Sequence, residues 1–373
     1  MLNQIIRWSV SNRWVVNMLA IVWFLVGIYA TFSMPVDVFP DFAPIQVVVL
    51  TEAPGFAPEE VESVVTRPLE TGLNGTANVK VVRSISTIGL SVITVIFQDG
   101  TNIFTARQLV SEKLQSARSK LPEGVQEPVL APITTAAGDI LKIGLYSTGK
   151  STPMEVRTLA DWTVRMRLLA ISGVANVVVI GGQVKQYQVL VNPDKLRQYN
   201  VTLAQVLRAA GGSSVNAAGG MLRTNDKEQL IRGLGRVSSP EEIAQSVITS
   251  RNGLPVLLNN VAKVEIGPEF KIGDAIVDGH PGVVLTVFKQ PWSNTLETTR
   301  LLEKALEELK AGFPEDVKTV TTFRQADFIE VAVKNVSEAV ILGGVLVVVI
   351  LFVFLQNWRT AFISLTAIPL SLL

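Results

Sequence analysis

"GTANVKVV" runs from Gly75 to Val82, and "GVANVVVI" runs from Gly173 to Ile180. Each follows a helical pattern and reads as a strand. The likeness extends outward. "TVIF" at Thr94 is echoed by "TVF" at Thr286, and "LPEGV", with Pro122, by "FPEDV", with Pro314. Thr94 to Pro122 and Thr286 to Pro314 are both 28 positions. Three ordered matches, one with equal internal spacing, indicate an internal repeat. Gly75 to Thr94 is 19 positions whereas Gly173 to Thr286 is 113, so the second copy carries about 94 extra residues in its middle. That is enough chain for a small inserted module.

Each copy reads as strand, helix, strand, strand, helix, strand. In copy one, "IQVVVLTEA" is β-rich. Pro58 opens a helix as a first-turn proline, and Glu59, Glu60 and Glu62 suit its positive end. Val61, Val64 and Val65 give that helix an apolar face, and Ala106, Leu109, Val110, Leu114 and Ala117 form the stripe of the second helix. In copy two, Thr152 and Glu155 form a capping box around Pro153. The late helix of that copy carries Leu301, Leu302, Ala305, Leu306 and Leu309. The expectation is two split βαβ, ferredoxin-like units.

The insertion covers roughly Gly182 to Lys271. "YQVLVNP" and "PVLLNNVAKVEI" read as strands, and Thr202 through Leu203, Val206, Leu207 and Ala210 as a helix. The Gly/Ser/Asn-rich middle, "AAGGSSVNAAGGMLRTNDKEQ", predicts a protruding loop or hairpin. It is either a surface loop or an arm reaching a neighbouring subunit. Asn216, Gly219, Gly220, Met221 and Arg223 are the candidate arm residues.

Mean hydropathy is +0.37, high for a chain without membrane segments. Two uncharged runs account for it, between Arg13 and Asp37 and between Glu338 and Arg359. Each is long enough to span a bilayer. The first exceeds the usual apolar length of a signal peptide and has no small-x-small cleavage site after it, which favours an uncleaved anchor. Arg7 and Arg13 precede the first span and Arg359 follows the second, while Asp37 and Asp41 follow the first. The positive-inside rule places the segment between the spans outside the inner membrane.

The chemistry of the chain points away from enzymes. There is no cysteine, so disulfides, thiolate metal sites and Cys nucleophiles are excluded. The one histidine, His280, sits between Gly279 and Pro281 in a turn context. "VIGGQ" and "AAGGSS" lack a P-loop lysine or a dinucleotide fingerprint, so no cofactor is expected. The methionines at 1, 18, 34, 154, 166 and 221 form no local cluster. Net charge of +1 gives no nucleic-acid signal. Neither uncharged run holds a carboxylate; Asp327, Glu330 and Glu338 lie on the approach to the second, where Glu330 and Lys334 read as a solvated i,i+4 pair.

"MPVDVFPDFAPIQVVVLTEAPGFAPEEVESVVTRPLE", "ISGVANVVVIGGQVKQYQVLVNPDKLRQYNVTLAQV" and "FLQNWRTAFISLTAIPLSLL" resemble resistance-nodulation-division (RND) efflux pumps. "NGLPVLLNNVAKVEIGPEFKIGDAIVDG" is nearer to the heavy-metal efflux branch than to the drug and amphiphile branch. The resemblance covers essentially the whole chain and implies the N-terminal third of a longer twelve-helix pump. It implies a cytoplasmic N-terminus (residues 1–13), a first membrane helix (14–36) and a first porter subdomain (37–133). A second porter subdomain (134–181 and 272–325) is interrupted by a docking subdomain (182–271). A linker and second membrane helix (326–358) and a cytoplasmic turn with a truncated third helix (359–373) complete it. Pro35, Asp37, Pro40, Asp41, Pro54 and Gly55 are its family-motif structural residues. It further implies an inner-membrane homotrimer, a periplasmic adaptor, an outer-membrane channel and proton-driven export, with proton-relay and metal-binding residues expected beyond Leu373. The rival class is a membrane-anchored periplasmic binding or assembly module. A sensor would continue into a signalling helix, whereas "QNWRT" turns back into apolar sequence.

Overall fold

The structure is a computed structural model. It describes residues 2–33, 44–135, 137–215, 217–224, 227–233, 235–251, 253–271, 273–356, 358–359 and 363. The chain opens with α1 (Leu2–Ser11), an element not expected within residues 1–13, and α2 (Arg13–Ser33). Helical bonding nearly continues through Asn12, whose N–H donates to Trp8 O (2.9 Å) and whose carbonyl accepts from Val16 N–H (3.2 Å).

The first α+β unit follows. Its elements are β1 (Gln46–Glu52), α3 (Pro58–Val61), a π stretch (Glu62–Thr66), α4 (Arg67–Leu73), β2 (Val79–Thr87), β3 (Leu90–Phe97), α5 (Ile103–Arg118) and β4 (Val129–Leu130). The sheet order is β2-β3-β1-β4, antiparallel throughout. Alternation in β1 and β3 turns Val47, Val49, Ile93, Val95 and Phe97 onto the helices, where all are buried.

The second unit begins with β5 (Asp139–Ser147), α6 (Pro153–Leu159), a π stretch (Ala160–Val164), α7 (Arg165–Leu169) and β6 (Val174–Gly181). The inserted segment then runs through β7 (Lys185–Val191), α8 (Pro193–Tyr199), α9 (Leu203–Gly211), β8 (Ala217–Thr224) and β9 (Lys227–Gly233). It continues with α10 (Pro240–Ala244), β10 (Val247–Arg251), β11 (Leu254–Leu257), α11 (Leu258–Val261) and β12 (Ala262–Pro268), and the chain re-enters the second unit through β13 (Ile276–Val277), which pairs with β14. The unit closes with β14 (His280–Lys289), α12 (Thr295–Lys310) and β15 (Val317–Arg324), and α13 (Gln325–Leu355) follows without a loop. β14 pairs with β6 on one side and β5 on the other, and β15 pairs with β5. The resulting order, β6-β14-β5-β15, repeats that of the first sheet.

The register explains why so long an insertion is tolerated. β6 and β14 are antiparallel neighbours, with Gly181 opposite Val283. The insertion therefore occupies the place of a hairpin turn, the counterpart of the tight link between Thr87 and Leu90 in the first sheet. Its own β7 and β12 pair from Lys185–Pro268 to Val191–Ala262, which holds its two ends together. Loop-closure entropy grows only slowly with length, and here the pairing of the ends offsets much of it.

Both first helices carry apolar residues at a strict four-residue spacing. Val61, Val65, Leu69 and Leu73 are buried in one unit, and Val156, Ala160, Val164 and Leu168 in the other. At 3.6 residues per turn such a stripe would drift around the helix. The π stretch adds residues to one turn and keeps the stripe on the sheet. This corrects the expected Val61, Val64, Val65 face, because Val64 is 36% exposed. On α12, Leu301 likewise turns to solvent while Leu302, Ala305 and Leu306 are buried.

Two strand readings are also corrected. "YQVLVNP" leaves the strand at Val191, and Asn192 Oδ1 accepts from the N–H groups of Asp194 and Lys195, starting α8. "PVLLNNVAKVEI" is broken by the single turn of α11, where Asn260 Oδ1 accepts from Leu257 N–H at 2.8 Å. The capping box of α6 forms as the spacing predicts: Glu155 accepts from Thr152 N–H at 2.7 Å, and Thr152 Oγ1 from Glu155 N–H at 3.3 Å.

Candidate functional site

One element of the inserted segment forms a sheet of its own, apart from the residues of the segment's core cluster. Among the described residues β8 and β9 pair only with each other, Met221 opposite Leu230 and Arg223 opposite Glu228. The register slips between Ala218 and Met221, where Gly219 and Gly220 lie. Met221 is exposed. At the root the two legs pinch: a Cβ on Gly235 would lie 2.2 Å from Val215 O. A lone two-stranded hairpin is marginal in water. Asn216 lies outside the described residues.

The insertion joins the second unit beside a cleft of about 400 Å³, lined by Arg157, Ile180, Gly181, Gly182, Phe270 and Lys271 among others. Arg157 donates to Asp161 at 2.7 Å and to Gly181 O at 2.6 Å. Gly181 and Gly182 have φ of +87° and +69°, which L side chains rarely adopt. The returning chain crosses the open face of the second sheet. Val277 packs where a Cβ on Gly144 would stand and Ala275 where one on Gly181 would, while a Cβ on Gly282 would first meet Leu145 O at 2.5 Å and then Val277 at 3.1 Å.

A smaller apolar cleft of about 190 Å³ separates the two units, lined by Ile45, Ile103, Ile133, Pro291 and Trp292 among others. Trp292 also meets Phe104 of the first unit, ring centroids 5.8 Å apart.

Pro54 and Gly55 form the turn between β1 and α3. Phe56 N–H donates to Ala53 O (3.2 Å) and Gly55 has φ +87°, which makes this a proline-glycine turn with the left-handed residue third. The turn holds the tip of the β2–β3 hairpin, since Ala53 N–H donates to Gly89 O and Gly89 N–H to Phe56 O. Pro35, Asp37, Pro40 and Asp41 lie outside the described residues. So does most of the expected third helix, which is described only at Ile363 after Arg359.

His280 is exposed at the start of β14, after a turn in which Asp278 and Gly279 both have positive φ. Its ring stacks on Tyr146 at 5.0 Å, and Tyr146 donates to Asp278 Oδ2 at 3.1 Å. Desolvation first, and then that carboxylate, raise the phenol above its ordinary pKa. Among the described residues no three His, Asp or Glu side chains gather to hold a metal. Met18, Met154, Met166 and Met221 stand on four separate elements, α2, α6, α7 and β8.

Two helices, α2 and α13, are long and apolar enough to cross a membrane, and their apolar windows are 6% and 0% buried. A core helix of a soluble protein would be covered. Glu330 does not take Lys334 as its partner. It accepts from Arg324 at 3.2 Å, while Lys334 lies 3.9 Å from Glu338.

Sequence reasoning passed over Arg324, the Gly181–Gly182 cleft and the Phe104–Trp292 contact. Each joins residues distant in sequence, and no local periodicity marks them. Gly-Gly at 181–182 was the one available signal.

Comparison with known proteins covers the whole chain. The model of the AcrB/AcrD/AcrF family matches residues 5–373. Protein HelA of Legionella pneumophila is 36% identical over 379 residues, all of this chain and 36% of the relative. The cobalt-zinc-cadmium resistance protein CzcA of Cupriavidus metallidurans is 34% identical over 381 residues, again all of this chain and 36% of the relative. The cation efflux system protein CusA of Escherichia coli K12 is 36% identical over 375 residues, with the same coverage. A crystal structure of a heavy metal efflux pump superposes with a TM-score of 0.88 at 30% identity, covering 97% of this chain and 36% of that one. The chain thus spans about a third of the length of these relatives.

Proposed function

The chain belongs to the AcrB/AcrD/AcrF family, and from that membership we propose that it is the N-terminal part of a proton-driven RND pump exporting heavy-metal cations. The observation that carries this reading is the superposition on a heavy metal efflux pump over 97% of the chain. The two α+β units are then ferredoxin-like porter subdomains in the periplasm, and the insertion is the docking subdomain. The β8–β9 hairpin is the arm that reaches the next protomer of a trimer. α2 and α13 cross the inner membrane. A periplasmic adaptor and an outer-membrane channel complete the route.

These 373 residues do not transport by themselves. α2 contains no acidic residue, and α13 contains none after Glu338. A span without a carboxylate offers no proton relay. The test uses a host lacking its own metal exporters. The full reading frame containing this chain lowers cell-associated cobalt, zinc or cadmium in an uncoupler-sensitive way, and the 373 residues alone do not. Protection against amphiphilic drugs but no cation would move the protein to the drug branch. Uncoupler-sensitive export by the 373 residues alone would refute the division of labour.

A further inference from the structure

α13 is 31 residues long, about 46 Å at 1.5 Å per residue, against about 30 Å for the hydrocarbon core of a bilayer. Its first turn belongs to the second α+β unit: Gln325, Ala326 and Ile329 are buried, while the side chains beyond are almost all exposed. Gln325 Nε2 donates to Ala137 O at 3.1 Å, on the segment linking the two units. Arg324 sits at the helix N-terminus, where the helix dipole disfavours a cation. Three carboxylates offset this. Arg324 Nε donates to Glu303 of α12 at 2.7 Å, Nη1 to Asp327 of α13, and Nη1 and Nη2 to Glu330 of α13 at 3.2 Å each. The guanidinium side chain is 19% exposed, far less than the carboxylates Asp327 and Glu330. A planar fork bonded to two elements at once fixes their mutual angle, which a point charge does not.

We propose that Arg324 is the positioning residue that fastens the base of α13 to α12, so that tilt or axial movement of the membrane helix reaches the second unit as a rigid-body displacement. This rests on the reading of α13 as a membrane-crossing helix of a transporter. Without the clamp, the loop-free junction between β15 and α13 becomes a pivot and absorbs the movement.

These 373 residues hold no cysteine, so with any cysteine beyond them replaced by serine a direct test is possible. Nitroxides are placed at Lys304→Cys on α12 and Ile341→Cys on α13 in the full chain, reconstituted in lipid nanodiscs, and their separation is measured by pulsed electron resonance. The unsubstituted clamp gives one narrow distance population. Arg324→Gln broadens it and adds a second population. Arg324→Lys recovers part of the narrow one, and Lys334→Gln leaves it unchanged. A purely structural Arg324 would lower the melting temperature without altering distances in the folded range. If Arg324→Gln does not fold, Glu303→Gln removes only the α12 side of the clamp and broadens the distribution likewise. An unchanged distribution in folded Arg324→Gln or Glu303→Gln overturns the proposal. Transport is not part of this readout, so loss of cation export as a reading would leave the result standing, and the reverse.

Discussion

The two α+β units share one strand order, yet they finish their sheets differently. In the first, the face away from the helices carries Leu50, Val92, Ile85 and Val129 in one cross-strand row, with Ile85 65% and Val129 56% exposed. In the second, the corresponding face is crossed by the chain returning from the insertion, seated over Gly144, Gly181 and Gly282. The opening words of the repeat diverge in the same way. Gly173 has φ +89° and a Cβ there would meet Thr298 Oγ1 at 2.7 Å, whereas Gly75 has open space. At the close of the repeat, Gly124 of "LPEGV" has φ +92°, while Asp316 of "FPEDV" binds the β5–α6 turn. A shared alternation of apolar residues sets which face of each sheet meets the helices. The glycines and turn residues then record what each unit must pack against.

The comparison breaks most readily in the cores. Leu69→Ala and Leu168→Ala, both fully buried on the π-containing helices, each cost about 2–5 kcal/mol. Hydrogen exchange should show each loss confined to its own unit, because the two cores are separate clusters. Loosening of both units by either substitution would mean that they fold as one. Next, Gly173→Ala costs about 1–3 kcal/mol by overpacking against Thr298, while Gly75→Ala is close to neutral in the same denaturation assay. Equal effects would show that the two words do the same job.

Asp316 sharpens the comparison through pH. It accepts from Ser151 N–H (2.7 Å), Ser147 Oγ (2.8 Å) and Ser151 Oγ (3.0 Å), which hold its carboxyl down from 3.8 to about 2. A depressed pKa contributes stability that is fully present above 3.8 and is lost as pH falls through about 2. The stability difference between the native chain and Asp316→Asn should therefore be constant at neutral pH and shrink across that window in acid denaturation. A difference independent of pH would assign the effect to shape alone. The smallest effect belongs to Val64→Ser, within about 0.5 kcal/mol, because the π stretch turns Val64 outward. A cost near that of Val65→Ala would contradict the helical register.

Local signals carried much of this into the sequence. The Thr152–Glu155 box and the β-rich strand over Gln46–Glu52 were legible because each rests on residues within one element. The Gly/Asn-rich middle of the insertion predicted a loop or hairpin, and a hairpin forms over Ala217–Thr224 and Lys227–Gly233. The π stretches had a signal, the strict four-residue spacing, that exceeds what a 3.6-residue turn allows. The glycine groove beneath Val277 and the Arg324 clamp had none. Gly144 and Val277 are joined only by tertiary packing, and Glu303 lies 21 residues from Arg324 on a different element.

The central claim is that both α+β units lie on one side of a membrane between two crossing helices. Single cysteines at Gln4, at Ser119 of the first unit and at Glu241 of the insertion test it in spheroplasts, with a membrane-impermeant maleimide, in a chain that has no cysteine of its own. The account predicts that Ser119→Cys and Glu241→Cys react in intact spheroplasts and that Gln4→Cys reacts only after permeabilisation. Reaction of Gln4→Cys before permeabilisation, or protection of Ser119→Cys or Glu241→Cys in intact spheroplasts, would contradict it.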